Sequence, residues 1–261
     1  MARQAERTGR LDRGDGIHLA WAHLPGAGPT IVFLPGFRSD MSGAKALELL
    51  NYCAARGQAM LRLDYAGHGA SDGAFTDGTI GRWTDDALAV IDQITQGKLV
   101  LVGSSMGGWI ALLVARARAA RVAGLVGVVA APDFTEALMW QAMAPPERAI
   151  LQRDGVLPIP SAYGEPTPIT LALIEEGRRH LLMDGPIPLP CPVRLLHGQN
   201  DPDVPWETAL RLAERITSAD VQITLVKDGD HRLSRPSDLA LLCALVGSLL
   251  DGENGAQPLA V

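Results

Sequence analysis

The chain has 261 residues with 23 basic and 29 acidic side chains, and 47% of its residues are hydrophobic. This length fits one large α/β domain or one domain with an insertion, and the 20% charged fraction argues against disorder. The formal net charge is −6, and the sequence has no basic stripe that would neutralise phosphates, so we expect no nucleic-acid partner.

Cysteine usage and the apolar runs predict the compartment. The chain has an odd number of cysteines, Cys53, Cys191 and Cys243, and their spacing fits no metal-binding motif. We therefore expect reduced, packed thiols. The segment MARQAERTGRLDRGDG has no apolar stretch and contains acidic residues, unlike a secretory signal or an organelle transit peptide. The longest apolar run, residues 239–250, is too short to span a bilayer. We therefore expect a cytoplasmic protein without integral membrane contact.

The first 130 residues alternate between strand and helix patterns. Short apolar or alternating runs predict strands, and apolar residues at helical spacing predict helices. In chain order the strands are IHLAWAHL, TIVFLP, QAMLRLD, KLVLVG and VAGLVGVV, and the helices are SGAKALELLNYCAARG, TIGRWTDDALAVIDQIT and a run that begins near Met106. This alternation predicts a mostly parallel sheet with helices on both faces.

The alternation stops after VAGLVGVVAAPDF and resumes near residue 191. Residues 133–190 contain helix patterns, many prolines and no convincing strand. The later elements are a strand VRLLHG, a helix PWETALRLAERI, a strand VQITLV and a C-terminal helix. We therefore predict a core made of residues 1–132 and 191–261, with a helical lid at 133–190 inserted after the sixth strand.

Two adjacent serines lie at a junction between a strand and a helix. The residues are Gly103-Ser104-Ser105-Met106-Gly107, which match the pattern G-x-S-x-G. The tight turn of a nucleophile elbow needs small residues two positions before and after the serine, which then lies exposed at the carboxyl edge of the sheet. Ser105 is the predicted nucleophile. The segment lacks the lysine of a phosphate-binding loop and the glycine spacing of a dinucleotide site.

A serine nucleophile needs a base, and the base needs an acid to orient it. In this fold class the chain order is serine, acid, histidine. His231 follows the last strand pattern and is the predicted base. The acid is Asp201 or Asp203, and we favour Asp201 because Asp203 suits a helix cap or an exposed position. His197, Asp201 and Asp203 lack a second group of ligands, so no metal is predicted.

The oxyanion that forms during acyl transfer needs two N–H donors. The residue after the nucleophile, Met106, supplies one, and Phe37 in the loop after TIVFLP supplies the other, beside a glycine that lets the backbone approach. Arg38 is a candidate to bind a substrate carboxylate. Trp140 and Tyr163 of the predicted lid are candidates for contact with the acyl group.

Several segments together resemble one known family. They are FLPGFRSDMSGAKA, RLDYAGHGASDG, GRWTDDALAVID, LVGSSMGGWIALL, CPVRLLHGQNDPDVPW and DHRL. From about residue 30 to about residue 245, the chain is similar to α/β-hydrolases of the acyl-glucuronide esterase and palmitoyl-protein thioesterase group. The resemblance implies an eight-stranded α/β-hydrolase fold, no cofactor, and an ester or thioester substrate that is a small molecule or an S-acylated protein. It places nucleophile, acid and base at Ser105, Asp201 and His231.

Two alternatives remain open. An acyltransferase or a peptidase can use the same scaffold and the same residues. A ligand-binding homologue that has lost catalysis keeps the fold but does not need the three residues. Labelling with a fluorophosphonate probe separates the second alternative from an enzyme, because a binding module does not label at Ser105.

Overall fold

A twisted sheet of eight strands forms the centre of the computed structural model, which describes residues 5–161 and 164–254. The described residues form ten strands, of which β7 and β8 lie outside this sheet; they are β1 (Arg7–Asp12), β2 (His18–Leu24), β3 (Ala27–Leu34), β4 (Gln58–Leu63), β5 (Leu99–Ser104), β6 (Val122–Val128), β7 (Val156–Ser161), β8 (Gly164–Thr170), β9 (Val193–Gly198) and β10 (Val221–Val226). The helices are α1 (Ala44–Arg56), α2 (Ile80–Ile94), α3 (Met106–Ala117), α4 (Pro145–Asp154), α5 (Leu171–Gly177), α6 (Glu207–Arg215) and α7 (Pro236–Asn254).

The order of strands in the sheet is β1-β2-β4-β3-β5-β6-β9-β10. The two pairings that involve β2 are antiparallel and the other five are parallel. This confirms the predicted mostly parallel eight-stranded sheet. The sequence did not predict β1, because Leu11 is its only large apolar residue and the strand is held at the sheet edge by pairing with β2.

Helices cover both faces of the sheet, as predicted. Successive strand residues point to opposite faces, so both alternating sets are buried. Leu99 and Leu101 of β5 pack on the face that carries α2 and α3, whereas Val100 and Val102 pack on the face that carries α1 and α7. None of the described helices combines the length and apolar content that crossing a bilayer requires.

The insertion (residues 133–190) between β6 and β9 has its own small core. It contains a turn of π-helix at Thr135–Trp140, then α4, the hairpin β7–β8 and α5. Met143, Leu151, Ile169 and Ile174 are buried together inside it.

The expectation that the insertion contains no strand is wrong, because β7 and β8 form an antiparallel hairpin. Prolines argue against strands because they cannot donate to a ladder. Here Pro158 lies opposite Pro168. Each strand of a two-stranded ribbon has one open edge, and a proline whose nitrogen faces that edge removes no ladder hydrogen bond. In β7 the half-buried Leu157 and Ile159 alternate with exposed neighbours.

Candidate active site

Ser105 lies on a sharp turn between β5 and α3. Its backbone has φ 54° and ψ −119°, a conformation that is uncommon for a residue with a side chain. The turn is possible because of the glycines around it. A Cβ on Gly103 would lie 2.2 Å from the carbonyl oxygen of Gly107, and a Cβ on Gly107 would lie 2.0 Å from that of Leu34. Larger residues at these positions would force the elbow open.

The neighbouring strand fixes the elbow from the other side. The Ser105 N–H donates to the Val128 carbonyl at 2.9 Å, and the Ser105 carbonyl accepts from the Ala131 N–H at 3.1 Å. Both polar groups of the strained residue are thus satisfied by β6 and the loop that follows it. This holds the side chain of Ser105 at the carboxyl edge of the sheet.

The structure brings Ser105, His231 and Asp201 together. The Oγ of Ser105 lies 3.1 Å from Nε2 of His231, and Nδ1 of the same imidazole lies 2.8 Å from Oδ2 of Asp201. Because Asp201 can only accept when ionised, Nδ1 carries the proton and Nε2 faces the hydroxyl as an acceptor. The arrangement can therefore remove a proton from Ser105.

The carboxylate of Asp201 is fully buried. Its Oδ1 accepts the N–H groups of Asp203 at 2.8 Å and Val204 at 2.9 Å. Burial raises the pKa of Asp201, but the hydrogen bonds from His197, His231 and the Val204 N–H outweigh burial and hold that pKa well below its usual range. Asp201 therefore stays ionised at neutral pH.

Asp203, the other candidate acid, is exposed. It takes part through its backbone N–H, and α6 begins after Trp206 without a side-chain cap. One ligand atom from each of Asp201, Asp203 and His231 lies within 4.8 Å of the others. Since both oxygens of Asp201 already accept hydrogen bonds, this group suits an oriented imidazole better than a cation.

The loop after β3 lies against Ser105. A Cβ on Gly36 would lie 3.2 Å from the Ser104 carbonyl oxygen and 3.4 Å from the Ser105 Cβ, so a bare glycine lets the loop approach. Phe37 follows directly. Met106 is the first residue of α3, where backbone N–H groups have no acceptor within the helix. The role of the Phe37 and Met106 N–H groups as oxyanion donors stays a prediction.

The three candidate substrate contacts have different positions. Nη1 of Arg38 donates to the Glu165 carbonyl at 3.0 Å and to Thr167 Oγ1 at 2.8 Å, so this side chain reaches the hairpin of the insertion. Trp140 stacks with two guanidinium groups, 5.2 Å from Arg148 and 4.8 Å from Arg178. Tyr163 lies outside the described residues. A role in binding substrate stays a prediction for each.

Sequence reasoning missed two residues that support the site. The sequence placed His197 only in a rejected metal cluster, but its Nε2 lies 3.1 Å from the Val204 carbonyl and 3.4 Å from Oδ2 of Asp201. The available signal was its place at the end of β9, four residues before Asp201. Lys45 of α1 contacts the loop that carries His231, a contact between distant segments that no local pattern reveals.

The fold and the site define an α/β hydrolase, and the chain belongs to the alpha/beta hydrolase family, whose model matches residues 31–240. It is 41% identical over 243 residues to the palmitoyl-protein thioesterase ABHD10, mitochondrial, of Bos taurus, with 92% of this chain and 79% of the relative covered. The human protein of the same name is 39% identical over 251 residues, with 95% and 82% covered.

Two solved structures are similar over nearly the whole chain. One is a protein from Agrobacterium vitis S4, with 43% identity, a TM-score of 0.89, and 94% of this chain and 98% of the other covered. The other is mouse alpha/beta hydrolase domain-containing protein 10, with 37% identity, a TM-score of 0.87, and 94% and 99% covered. The predicted resemblance is confirmed. Both of the named curated relatives are palmitoyl-protein thioesterases by name.

The predicted cytoplasmic location is contradicted. The palmitoyl-protein thioesterases from cow, mouse and human are all named as mitochondrial. The prediction was wrong because it used the composition of the first residues of the chain, and composition near one end does not determine the compartment of a family.

Proposed function

We propose that the chain hydrolyses carboxylic esters and thioesters through an acyl-enzyme formed on Ser105. The observation that carries the proposal is the continuous hydrogen-bond chain from Ser105 Oγ through His231 to the buried Asp201, with distances of 3.1 and 2.8 Å. Membership of the alpha/beta hydrolase family supports it, as do relatives named as thioesterases.

In the first half-reaction, Ser105 Oγ attacks the acyl carbon and its proton passes to Nε2 of His231. The developing imidazolium is stabilised by the ionised Asp201, which does not itself take the proton. The N–H groups of Phe37 and Met106 donate to the carbonyl oxygen as it becomes negative. The carbon–oxygen or carbon–sulfur bond then breaks, and the proton on His231 goes to the departing alcohol or thiol.

In the second half-reaction, water attacks the acyl-enzyme by the same route. His231 takes a proton from the water as the new carbon–oxygen bond forms, and returns it to Ser105 Oγ as the ester to Ser105 breaks. The free carboxylic acid leaves and the enzyme is restored. Water is therefore the second substrate of the reaction.

The substrate class follows from the insertion and the relatives. The insertion places an apolar core beside Phe37, which suits a fatty acyl group. Relatives named as palmitoyl-protein thioesterases support an S-acyl substrate, either an S-acylated protein or a small thioester. We propose that residues 133–190 act as the lid over this acyl group, on a core of residues 1–132 and 191–261.

A fluorophosphonate probe tests the proposal, since it reacts covalently with an activated serine. We expect the wild-type protein and Ser104→Ala to label, and Ser105→Ala not to label. Ser104 is the matched control because it is the adjacent hydroxyl, buried at the end of β5. Removing the nucleophile of such a unit costs about 10⁶-fold in kcat, so ester turnover should vanish in Ser105→Ala alone. Labelling of Ser105→Ala would contradict the assignment.

A further inference from the structure

The loop after β4 makes several hydrogen bonds to the loop that carries Phe37. Its motif is Asp64-Tyr65-Ala66-Gly67-His68-Gly69. The Tyr65 hydroxyl donates to the Pro35 carbonyl at 3.3 Å, and Asp64 Oδ1 accepts the Met41 N–H at 2.7 Å. Arg38 lies between Pro35 and Met41 in the chain, and its N–H donates to His68 Nε2 at 3.3 Å. His68 thus holds the peptide that joins Phe37 to Arg38.

The partners of His68 determine its tautomer. A backbone N–H can only donate, so the nitrogen facing Arg38 must be unprotonated. Nδ1 lies 3.3 Å from the Ala66 carbonyl, which can only accept, so Nδ1 must carry the proton. A neutral imidazole protonated at Nδ1 satisfies both contacts, and an imidazolium would place two N–H groups against each other at Arg38.

The surroundings keep this imidazole neutral. His68 is 4% exposed and its ring packs edge-on against Phe75 at 5.3 Å and Trp83 at 5.1 Å. Burial lowers the pKa of His68 to about 4, and the nearby Arg38 charge adds to that effect against the opposing Ala66 hydrogen bond and Asp40. The acceptor at Nε2 is therefore available around neutral pH.

The peptide that His68 holds precedes a residue with a strained backbone. Arg38 has φ 56°, in the left-handed region that a residue with a side chain rarely adopts. The ring of Phe37 packs on the same two aromatic rings as His68, 4.9 Å from Phe75 and 5.9 Å from Trp83. His68 therefore fixes the segment through the Arg38 backbone, while the shared rings fix the Phe37 side chain.

The geometry points to His68 as a positioning residue for acyl transfer: by accepting the Arg38 N–H, it holds the Phe37 N–H toward the oxyanion. This inference rests on the proposed function. His68 does not touch the reacting atoms, and its effect acts through the orientation of one backbone donor. Loss of one oxyanion donor costs about 10²–10³-fold in kcat, so a donor that is displaced rather than lost should cost about 10- to 100-fold.

Two substitutions separate the acceptor from the packing. His68→Phe keeps an aromatic ring between Phe75 and Trp83 but removes the acceptor, and His68→Gln keeps an acceptor near the position of Nε2. We expect kcat for a p-nitrophenyl ester to fall about 10- to 100-fold in His68→Phe with KM nearly unchanged, and His68→Gln to recover most of the loss. His23→Phe, at a half-buried histidine of β2, is the matched control and should keep wild-type kcat.

An inhibitor provides a readout that a merely structural role would not move. A trifluoromethyl ketone forms a tetrahedral adduct with a serine, whose oxygen occupies the oxyanion site. Its Ki should rise in His68→Phe by the same factor as kcat/KM falls, because both depend on the same donor. Hydrogen exchange at the Arg38 amide should also accelerate in that variant. An unchanged Ki and unchanged exchange would overturn the inference.

The wild-type protein provides a test if the His68→Phe variant does not fold. A long-range proton–nitrogen NMR spectrum at neutral pH should show His68 protonated at Nδ1 and unprotonated at Nε2, and the opposite tautomer would overturn the inference. Failure of the two proposals is distinguishable. A wild-type protein that neither labels with a fluorophosphonate nor turns over esters contradicts the proposed function, whereas an active enzyme with an unaltered Ki in His68→Phe contradicts this inference alone.

Discussion

The Nζ of Lys45 donates a 2.6 Å hydrogen bond to the backbone carbonyl of Arg232, the residue directly after His231. Lys45 lies near the start of α1, so this bond ties one helix of the core to the loop that carries the predicted base. The loop is also closed on itself, because Asp230 Oδ1 accepts the N–H groups of Arg232 at 3.1 Å and Leu233 at 3.0 Å. Lys45 is thus an external support of a tight turn.

Lys45→Met should lower kcat/KM for an ester by about 10-fold. The substitution keeps the apolar stem but removes the donor to Arg232, so the His231 imidazole loses part of its fixed orientation, and misorientation of a catalytic group is costly. Steady-state kinetics measures the loss. Lys227→Met, at an exposed lysine after β10, is the matched control and should leave kcat/KM unchanged. Equal losses in both variants would contradict a specific role for Lys45.

The stability of the protein should respond to pH through the same lysine. Burial, with a smaller contribution from Arg232, lowers the pKa of Lys45 to about 8, below the value of about 10.4 for an unfolded chain. Between these values the unfolded state binds more protons, so Lys45 adds stability as pH rises through this window. Denaturant unfolding at about pH 7, 8.5 and 10 should show wild type gaining free energy of unfolding relative to Lys45→Met. A constant difference would contradict the lowered pKa.

Asp201→Asn should damage activity far more than Asp203→Asn. Asp201 is buried and bonded to His231, whereas Asp203 is exposed and contributes its backbone N–H, which the substitution keeps. An amide at position 201 favours the wrong imidazole tautomer, and such a change costs about 10⁴-fold in kcat. We expect less than about a threefold loss at position 203. A larger loss at 203 than at 201 would reassign the acid.

Local sequence rules predicted the elements of the site, and the contacts between distant elements had to come from the structure. The position of Ser105 follows from glycines that permit one tight turn, a constraint contained in five consecutive residues. Chain order at the ends of two strands predicted His231 and left Asp201 or Asp203 as the acid, with Asp201 favoured. The bonds of Lys45 to Arg232 and of His68 to Arg38 join segments 187 and 30 residues apart, and neither leaves a periodic pattern.

The fold shows the same division. The strands of the sheet interior were predicted because both of their faces are buried, which makes short continuous apolar runs. β1 and the hairpin β7–β8 were missed because each depends on pairing with a single partner, and their sequences contain charges or prolines. The core of the insertion packs against Phe37, a residue more than 90 positions upstream. The sequence of the insertion alone is therefore not enough to predict its structure.

Gly36→Ala should lower kcat without unfolding the protein. A Cβ at this position would lie 3.2 Å from the Ser104 carbonyl oxygen and 3.4 Å from the Ser105 Cβ, so the loop must move by a few tenths of an ångström. That shift displaces the neighbouring Phe37 N–H, and we expect about a 10-fold loss of kcat. Gly185→Ala is the matched control, because a Cβ there meets no atom within 4 Å. Wild-type kcat in Gly36→Ala would contradict the proposed position of the oxyanion donor.

Turnover should depend on the length of the acyl chain. Phe37 and Met139 pack against both the core of the sheet and the core of the insertion, so an apolar seam runs from the predicted oxyanion loop under the insertion. Each methylene that a substrate buries in such a seam is worth about 0.8 kcal/mol, or about fourfold in binding. We therefore expect kcat/KM for p-nitrophenyl esters to rise from acetate through butyrate to octanoate, with the same trend for acyl thioesters.

A substitution in the seam tests where that gain arises. Met139→Gln places a polar group in the seam, so kcat/KM for octanoate should fall by about 10-fold, and that for acetate should change little, because the shorter chain does not reach the substituted side chain. Leu47→Gln, at an exposed leucine of α1, is the control and should leave the whole series unchanged. A series that falls steadily from acetate to octanoate in the wild-type enzyme would contradict the apolar seam as the acyl site, while leaving the roles proposed for Ser105, His231 and Asp201 intact.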